Sequence, residues 1–413
     1  MTTKPNNRPL RIGIVVPHIF MHRAILPHVI FSPAQLALTL AEGLRHSSAD
    51  VTLFSPGPVD TSVRNITADL SYFERELAGR GDSYIDLLKK HPLMFTTLAR
   101  QVQSELVARA FAMANAGELD IVHIYTNEED IALPFARLCQ KPVAFTHHDP
   151  FNFSVKYKNV FPKYKDLNWI SMSYAQRAGM PSDTNWVGNV YHGLAETDLS
   201  PVAAPANDYI AYLGRIIQPK GLHLAIQAVK QYNARAARPL KLKIAGKHYA
   251  GHKKDIYWQT FILPQLDDEH IEYVGFVGPE KREFLGNARA LIVPSLFDEP
   301  FGMVSIEALA CGTPVIALDS GALPEVIQDG QTGFVVKKAT SGSGDLGDAA
   351  TAQALAAALE KIDGISRQAC RADYGARFTA TRMCAEHLAI YRGLAASSPS
   401  SARRSKVTQV LSG

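Results

Sequence analysis

Cysteine is scarce in this chain: four among 413 residues, at positions 139, 311, 370 and 384, with no CxxC spacing. No CxxC metal or redox motif can therefore be built from it. Cys139 and Cys311 stand in helical, apolar contexts and read as buried thiols, which fits a reducing cytoplasm. Long hydrophobic runs are missing too. The most apolar early stretch, residues 12–31, is broken by Pro17, His18, Arg23, Pro27 and His28 and should not span a membrane. The polar opening Met-Thr-Thr-Lys-Pro-Asn-Asn-Arg-Pro leads into a strand pattern, not a signal peptide. The expected location is cytoplasmic.

A large excess of one charge is also absent. The net charge is +4, and the last eighteen residues, Ala396 to Gly413, hold Arg403, Arg404 and Lys406 with no acid. That leaves +1 for everything else, so no large nucleic-acid footprint is implied. With 46% hydrophobic and 20% charged residues the composition is that of a globular protein, and the length suffices for two domains.

What is present is alternation. Short apolar runs alternate with helical patterns, the signature of parallel α/β sheets. Expected strands are 11–16, 51–54, 121–124, 143–146, 169–171 and 186–190, then a second series at 209–213, 242–245, 271–274, 290–293, 315–318 and 334–336. Residues 196–208, rich in Pro, Ala and Asp, read as a linker between the series. Ser32-Pro33 looks like a helix cap followed by proline at the first helical position, opening a helix through Leu44. Residues 61–117 form an insertion of mostly helical pattern (83–90 and 94–114). Thr340 to Gly347 reads as a flexible loop, residues 381–393 as an amphipathic helix, and 396–413 as a disordered tail. Two doubly wound domains facing a central cleft follow, with a ligand at the carboxyl ends of the strands.

The most informative stretch runs from Glu299-Pro-Phe-Gly-Met-Val-Ser-Ile-Glu307 into Ala-Leu-Ala-Cys-Gly-Thr-Pro-Val315. A strand, a glycine turn and a helix N-terminus make an anion site, because the first helical amides lack internal partners and the dipole favours negative charge. Gly302 lets a phosphate approach the backbone. Glu307, about one turn inside the helix, is placed to accept hydrogen bonds from ligand hydroxyls. Phosphate and hydroxyls on one ligand suggest a nucleotide sugar. In Tyr212-Leu-Gly-Arg-Ile-Ile-Gln-Pro-Lys-Gly221 a strand ends at Gly214, and Arg215 and Lys220 flank one strand–helix corner. Such a pair can neutralise a diphosphate from two sides; the competing reading is two solvated surface cations. Lys247 and His248 follow Gly246 at another strand end and could add phosphate contacts. Pro142-Val-Ala-Phe-Thr-His-His-Asp-Pro150 is a buried-strand pattern ending in a polar cluster. Neighbouring side chains on an extended strand end point to opposite faces, so only one of His147 and His148 should reach the cleft, and His147, His148 and Asp149 would chelate a metal poorly.

These segments resemble the signature of the family-4 retaining glycosyltransferases, glycosyl transferases group 1, which have the GT-B fold. Further matching runs are Ser171-Met-Ser-Tyr-Ala-Gln-Arg177, Asn185-Trp-Val-Gly-Asn-Val-Tyr-His-Gly193 and Pro324-Glu-Val-Ile-Gln-Asp-Gly330. The resemblance is strong from about Asp120 to Val336 and weaker elsewhere. It implies an N-terminal acceptor domain (1–196), a nucleotide-sugar donor domain (197–378) and a crossover helix (379–395) returning to the first domain. By the same resemblance Arg215 and Lys220 hold the leaving diphosphate beside Gly214, Glu307 holds the ribose, and Glu299, Phe301 and the amides of Gly302, Met303 and Val304 meet donor sugar and phosphate. Gly246 and Lys247 join the donor contacts, and Gly275-Phe276-Val277 matches the strand end that reads the base. The family's strand-end histidine aligns with His148. A UDP-sugar donor, glucose as the hexose and no metal or other cofactor are implied.

The family usually carries a glycine pair in its first strand–helix loop. Here residues 17–31 contain none. With Phe20, Met21 and His22 in that loop, and His147 and Asp149 opposite, a partly apolar hydroxyl acceptor is one expectation; a loop packed under the insertion is the other. The Lys89-Lys90 pair and its apolar neighbours could touch an anionic membrane but read better as a packed helix with solvated lysines. Rival readings are an inactive nucleotide-sugar-binding relic and a sugar phosphorylase or epimerase on the same fold.

Overall fold

Uninterrupted apolar runs such as Ala290–Val293 and Val315–Leu318 cannot leave one face in water, so they suit parallel strands covered on both sides. In the computed structural model, which describes residues 8–29, 31–125, 129–197, 199–248, 255–339 and 345–397, they form two all-parallel sheets. The first contains β1 (Leu10–Val15), β2 (Ala49–Ser55), β3 (Arg64–Thr67), β4 (Ile121–Tyr125), β5 (Val143–Thr146), β6 (Asn168–Ser171) and β7 (Trp186–Asn189). Its order is β3-β2-β1-β4-β5-β6-β7. The second contains β8 (Tyr209–Leu213), β9 (Lys241–Ala245), β10 (Ile271–Gly275), β11 (Ala290–Val293), β12 (Val315–Leu318) and β13 (Gly333–Val336), in the order β10-β9-β8-β11-β12-β13. Each sheet is doubly wound and Rossmann-like. In the second, strand order reverses between β8 and β11, and the loops leaving those two strands flank the switch point where such sheets bind ligands.

The chain divides into two units. The described residues of Met1–Met172, Arg177–Val190 and Ala380–Gly413 make the first; Ser173–Gln176 and Tyr191–Thr379 make the second. The C-terminal helix Ala380–Ser397 thus belongs to the first unit. It packs on helix Ser32–Arg45 where Gly43 leaves room: a Cβ there would lie 2.4 Å from Cys384 Sγ. Tyr391 Oη on the same helix lies 2.6 Å from His123 Nδ1, and His123 Nε2 lies 2.9 Å from Thr146 Oγ1, so one buried histidine joins β4, β5 and the last helix.

Several expectations change in detail. The insertion is not wholly helical: besides helices Ser71–Arg80, Tyr84–Lys90 and Pro92–Asn115 it supplies edge strand β3. Only Ile66 of β3 is buried, so its sequence has no strand-like alternation to announce it. Ser32 is the first helical residue, not the cap, and makes no capping bond; Phe31 precedes it. Helix Asp345–Lys361 takes in the end of the expected loop, and residues 340–344 lie outside the described residues, as do residues 398–413 of the expected tail. Cys311 is buried, whereas Cys139 is only half-buried. Among the described residues no helix is long and apolar enough to cross a membrane.

Candidate functional site

The loop after β8 tightens into a 3-10 turn, Gln218–Lys220, and is turned back by Gly221 at φ 68°. A Cβ on Gly221 would sit 1.9 Å from the Pro294 carbonyl oxygen, so only glycine permits this approach to the loop after β11. The two loops are joined through one acceptor: the Pro219 carbonyl receives the amides of Leu296 (2.9 Å) and Phe297 (3.1 Å). This backbone seam delivers Lys220 to Glu299, Nζ to Oε1 at 2.6 Å. Glu299 is 7% exposed, and the Lys220 ammonium also stands 5.3 Å from the centre of the Phe297 ring.

Glu307 lies in helix Met303–Ala310, which starts at Gly302 (φ 96°) with no side chain capping its first amides. Phe301 is buried in the turn. Ser305 Oγ, inside this first turn, is buried and has no hydrogen-bond partner among the described residues. Glu307 is itself paired: Lys281 Nζ reaches Oε1 at 2.8 Å. Lys281 opens helix Lys281–Gly286, which follows the loop after β10, and nothing in its sequence neighbourhood signals that partnership.

Gly214, Gly246 and Gly275 stand at the ends of three adjacent strands. A Cβ on Gly246 would lie 1.8 Å from the Gly214 carbonyl oxygen, and the Gly246 amide donates to the Gly275 carbonyl at 2.8 Å. Arg215 is exposed; its carbonyl accepts from the Tyr212 hydroxyl (3.2 Å) and the Ile217 amide (3.1 Å), while its guanidinium makes no hydrogen bond or ion pair among the described residues. Lys247 is also exposed, its ammonium 4.4 Å from the centre of the Phe276 ring; Phe276 is 55% exposed and Val277 is buried. His248 Nδ1 lies 2.8 Å from Asp255 Oδ2, and the ring stacks on Trp258 with centroids 4.3 Å apart.

The motif runs at 171–177 and 324–330 acquire a physical role. Ser173 Oγ donates to the Pro300 carbonyl at 2.7 Å and accepts the Gln176 amide at 3.0 Å. The Glu325 carboxylate receives the amides of Tyr174 (2.9 Å) and Ala175 (2.5 Å) and the Tyr191 hydroxyl (3.0 Å). Burial, and next the Glu325 charge, push the Tyr191 hydroxyl up to about 12. Ser173 thus holds the Pro300 turn, a role that no local pattern in either run announces.

In the first unit, His147 and His148 part company at the end of β5. His147 is 1% exposed and packed against the rings of Tyr157 (4.3 Å), Phe161 (5.0 Å) and Phe151 (5.1 Å). His148 is 9% exposed, its ring edge-on to Tyr125 at 4.6 Å. Asp149 accepts from the Tyr157 hydroxyl at 3.4 Å. Among the described residues no group of three or more His, Cys, Asp or Glu side chains is disposed to hold a metal. In the first loop Met21 is fully buried, and His22, 7% exposed, lies against Tyr84 of the insertion (ring centres 5.3 Å). Phe20 stays half-buried, grouped with His18 (4.6 Å) and Phe31 (5.9 Å). Burial, helped by the Lys156 charge, pushes His18 down to about 4.

The decisive comparison concerns the second unit. Residues 200–361 match the family model of the glycosyl transferases group 1. The matched stretch contains Arg215, Lys220, Lys281, Glu299 and Glu307. A curated relative, the D-inositol 3-phosphate glycosyltransferase of Paenarthrobacter aurescens, is 36% identical over 136 residues, 32% of each chain. The phosphatidyl-myo-inositol mannosyltransferase of Mycobacterium leprae is 25% identical over 365 residues, 85% of this chain and 87% of its own. The chain spans about a third of the length of the first of these relatives. Among solved structures, Alr3699/HepE of Anabaena in complex with UDP and glucose is similar with a TM-score of 0.64 at 15% identity, over 93% of this chain and all of that one, which is a likeness of fold: GT-B.

Proposed function

We propose that this protein is a glycosyltransferase that moves a hexose, glucose first among candidates, from a UDP-sugar to a hydroxyl acceptor with retention of configuration. One observation carries the reading. At the carboxyl ends of β8 and β11 an unpaired arginine (Arg215), a lysine (Lys220), the open amide end after Gly302 and two carboxylates (Glu299 and Glu307) share one set of joined loops. Cations and amides suit a diphosphate, and carboxylates suit the hydroxyls of ribose and sugar. The group 1 match over this stretch supports the reaction class. The UDP and glucose bound by the Anabaena protein support the choice of donor.

In the reaction the bond between the sugar C1 and the phosphate oxygen breaks, and its electron pair leaves with the nucleoside diphosphate. The acceptor oxygen bonds to C1 from the same face, and its proton passes to the departing phosphate. Arg215, Lys220 and the amides of Met303 and Val304 stabilise the charge that develops there. His148 is the histidine assigned to assist the reaction, and neither glutamate forms a covalent bond. No metal or other cofactor enters this scheme. The acceptor is a hydroxyl compound with a partly apolar body, for which half-buried Phe20 is the first-loop contact, with His22 beside it; Met21, fully buried, is not exposed to it. A cytoplasmic location accords with the donor.

The test is thermal-shift screening against UDP-, GDP- and ADP-sugars, since ligands that bind the native state raise the melting temperature, followed by donor turnover. Arg215→Ala should cut turnover by about 10²–10³ with an unchanged melting temperature, because the side chain is exposed. Near-normal turnover would remove Arg215 from the site. Donor binding with no transfer or hydrolysis would instead make the chain a nucleotide-sugar-binding protein.

A further inference from the structure

Lys220 is not waiting for a phosphate. Its ammonium is already committed to Glu299 at 2.6 Å, and Glu299 is 7% exposed. Among the described residues Lys220 is the cation in ion-pair contact with that carboxylate. Arg215, on the same loop, is exposed and holds no such partner. The two cations therefore face an incoming diphosphate on different terms. Arg215 can engage it without leaving anything behind, whereas Lys220 can turn to it only by weakening its hold on a buried carboxylate.

We infer that Glu299 is an internal competitor for the diphosphate at Lys220, and that this competition makes the site discriminate a nucleotide sugar from a bare nucleoside diphosphate. The inference rests on the nucleotide-sugar reading above and assigns Glu299 a task beyond holding the sugar. A buried carboxylate deprived of its counter-charge is strongly unfavourable. A nucleoside diphosphate that draws Lys220 away offers Glu299 nothing in return. A nucleotide sugar brings hydroxyl donors alongside the diphosphate, and hydroxyl-to-carboxylate hydrogen bonds can take the place of the ammonium. Phosphate and sugar recognition are thereby coupled, and the coupling is reciprocal. Once the sugar has been transferred, Glu299 reclaims Lys220, and the nucleoside diphosphate left behind is held by Arg215 and the helix amides alone. The same pair that admits the donor hastens release of the product.

The direction of the predicted effect is unusual for a residue in a binding site, since its removal should tighten one ligand. Calorimetric titration of the whole protein with UDP, GDP and ADP should show the preferred diphosphate binding Glu299→Gln about five- to tenfold more tightly than the wild type. Transfer from UDP-glucose should fall in the same variant. The gain should vanish in the double variant Lys220→Met/Glu299→Gln, because the competed-for cation is gone. Glu299→Asp, with a shorter arm and a looser pair, should move diphosphate affinity in the same direction and covers the case in which the glutamine variant folds poorly. Equal or weaker diphosphate binding by a Glu299→Gln protein of wild-type melting temperature would overturn the inference while leaving the functional reading intact. A wild-type protein that binds none of the three diphosphates and none of their glucose conjugates would overturn both.

Discussion

Ser173 Oγ donates to the Pro300 carbonyl across 2.7 Å, joining residues 127 positions apart in the chain. The contact fixes the turn whose neighbours, Glu299 and Gly302, define the proposed donor site. Ser173→Ala removes two hydrogen bonds, the one to the Pro300 carbonyl and the one from the Gln176 amide, a loss of about 2 kcal/mol, and frees the turn to drift. A modest fall in urea midpoint with a raised donor KM is expected, and an unchanged KM would show that the turn is held without it.

Two adjacent histidines should respond differently to the same replacement. His147→Phe puts an apolar ring into an aromatic cage, whereas His148→Phe removes the imidazole proposed to assist the reaction. Turnover should fall at least about tenfold further in the His148 variant than in the His147 variant. Steady-state kinetics on both proteins, with circular dichroism to check folding, decides it.

Glycine positions separate strain from collision. At Gly221 (φ 68°) an added Cβ meets the Pro294 carbonyl at 1.9 Å; at Gly275 (φ 82°) it meets nothing within 4 Å. Gly275→Ala should cost only the backbone term, about 1 kcal/mol. Gly221→Ala adds a backbone clash and should cost at least about 2 kcal/mol, with loss of the Lys220–Glu299 pairing. Chemical denaturation of the two variants gives the comparison directly.

Acid should destabilise the fold through His387. Burial pushes this imidazole from 6.5 down to about 4, and its ring lies 5.7 Å from that of His123, which burial also holds neutral. Between those two values the unfolded chain takes up a proton that the folded chain refuses, so stability is full above about pH 6.5 and falls as the pH drops toward 4. From about pH 7.5 to about pH 5 the loss through His387 alone is about 2 kcal/mol. His387→Leu should flatten that part of the profile in urea titrations. An identical slope in both proteins would mean the acid sensitivity lies elsewhere.

Much of the fold was legible because buried parallel strands leave a strong local trace. Four-residue apolar runs marked β11 and β12, and largely apolar runs interrupted by His123 or closed by Thr146 marked β4 and β5. β3 was invisible for the complementary reason: it is an edge strand with a single buried residue. The site was legible in its glycines and charges. Gly302 marks the backbone opening of the helix in the sequence, and it takes φ 96° there. The pairings were not legible. Lys281 and Glu307, or Ser173 and Pro300, are distant along the chain, and no periodicity connects them.

By itself the sequence determined which segments become strands and helices, and which residue types stand at strand ends. Those choices follow from local patterning and from backbone positions that only glycine tolerates. Tertiary structure alone decided the electrostatic state of the site. Lys220 and Arg215 look equivalent along the chain, five residues apart on one loop. Backbone seams between the loops after β8 and β11 bring Glu299 to one of them and leave the other open to solvent. Coulomb attraction depends on distance through space, and that distance exists only once the two strands have paired.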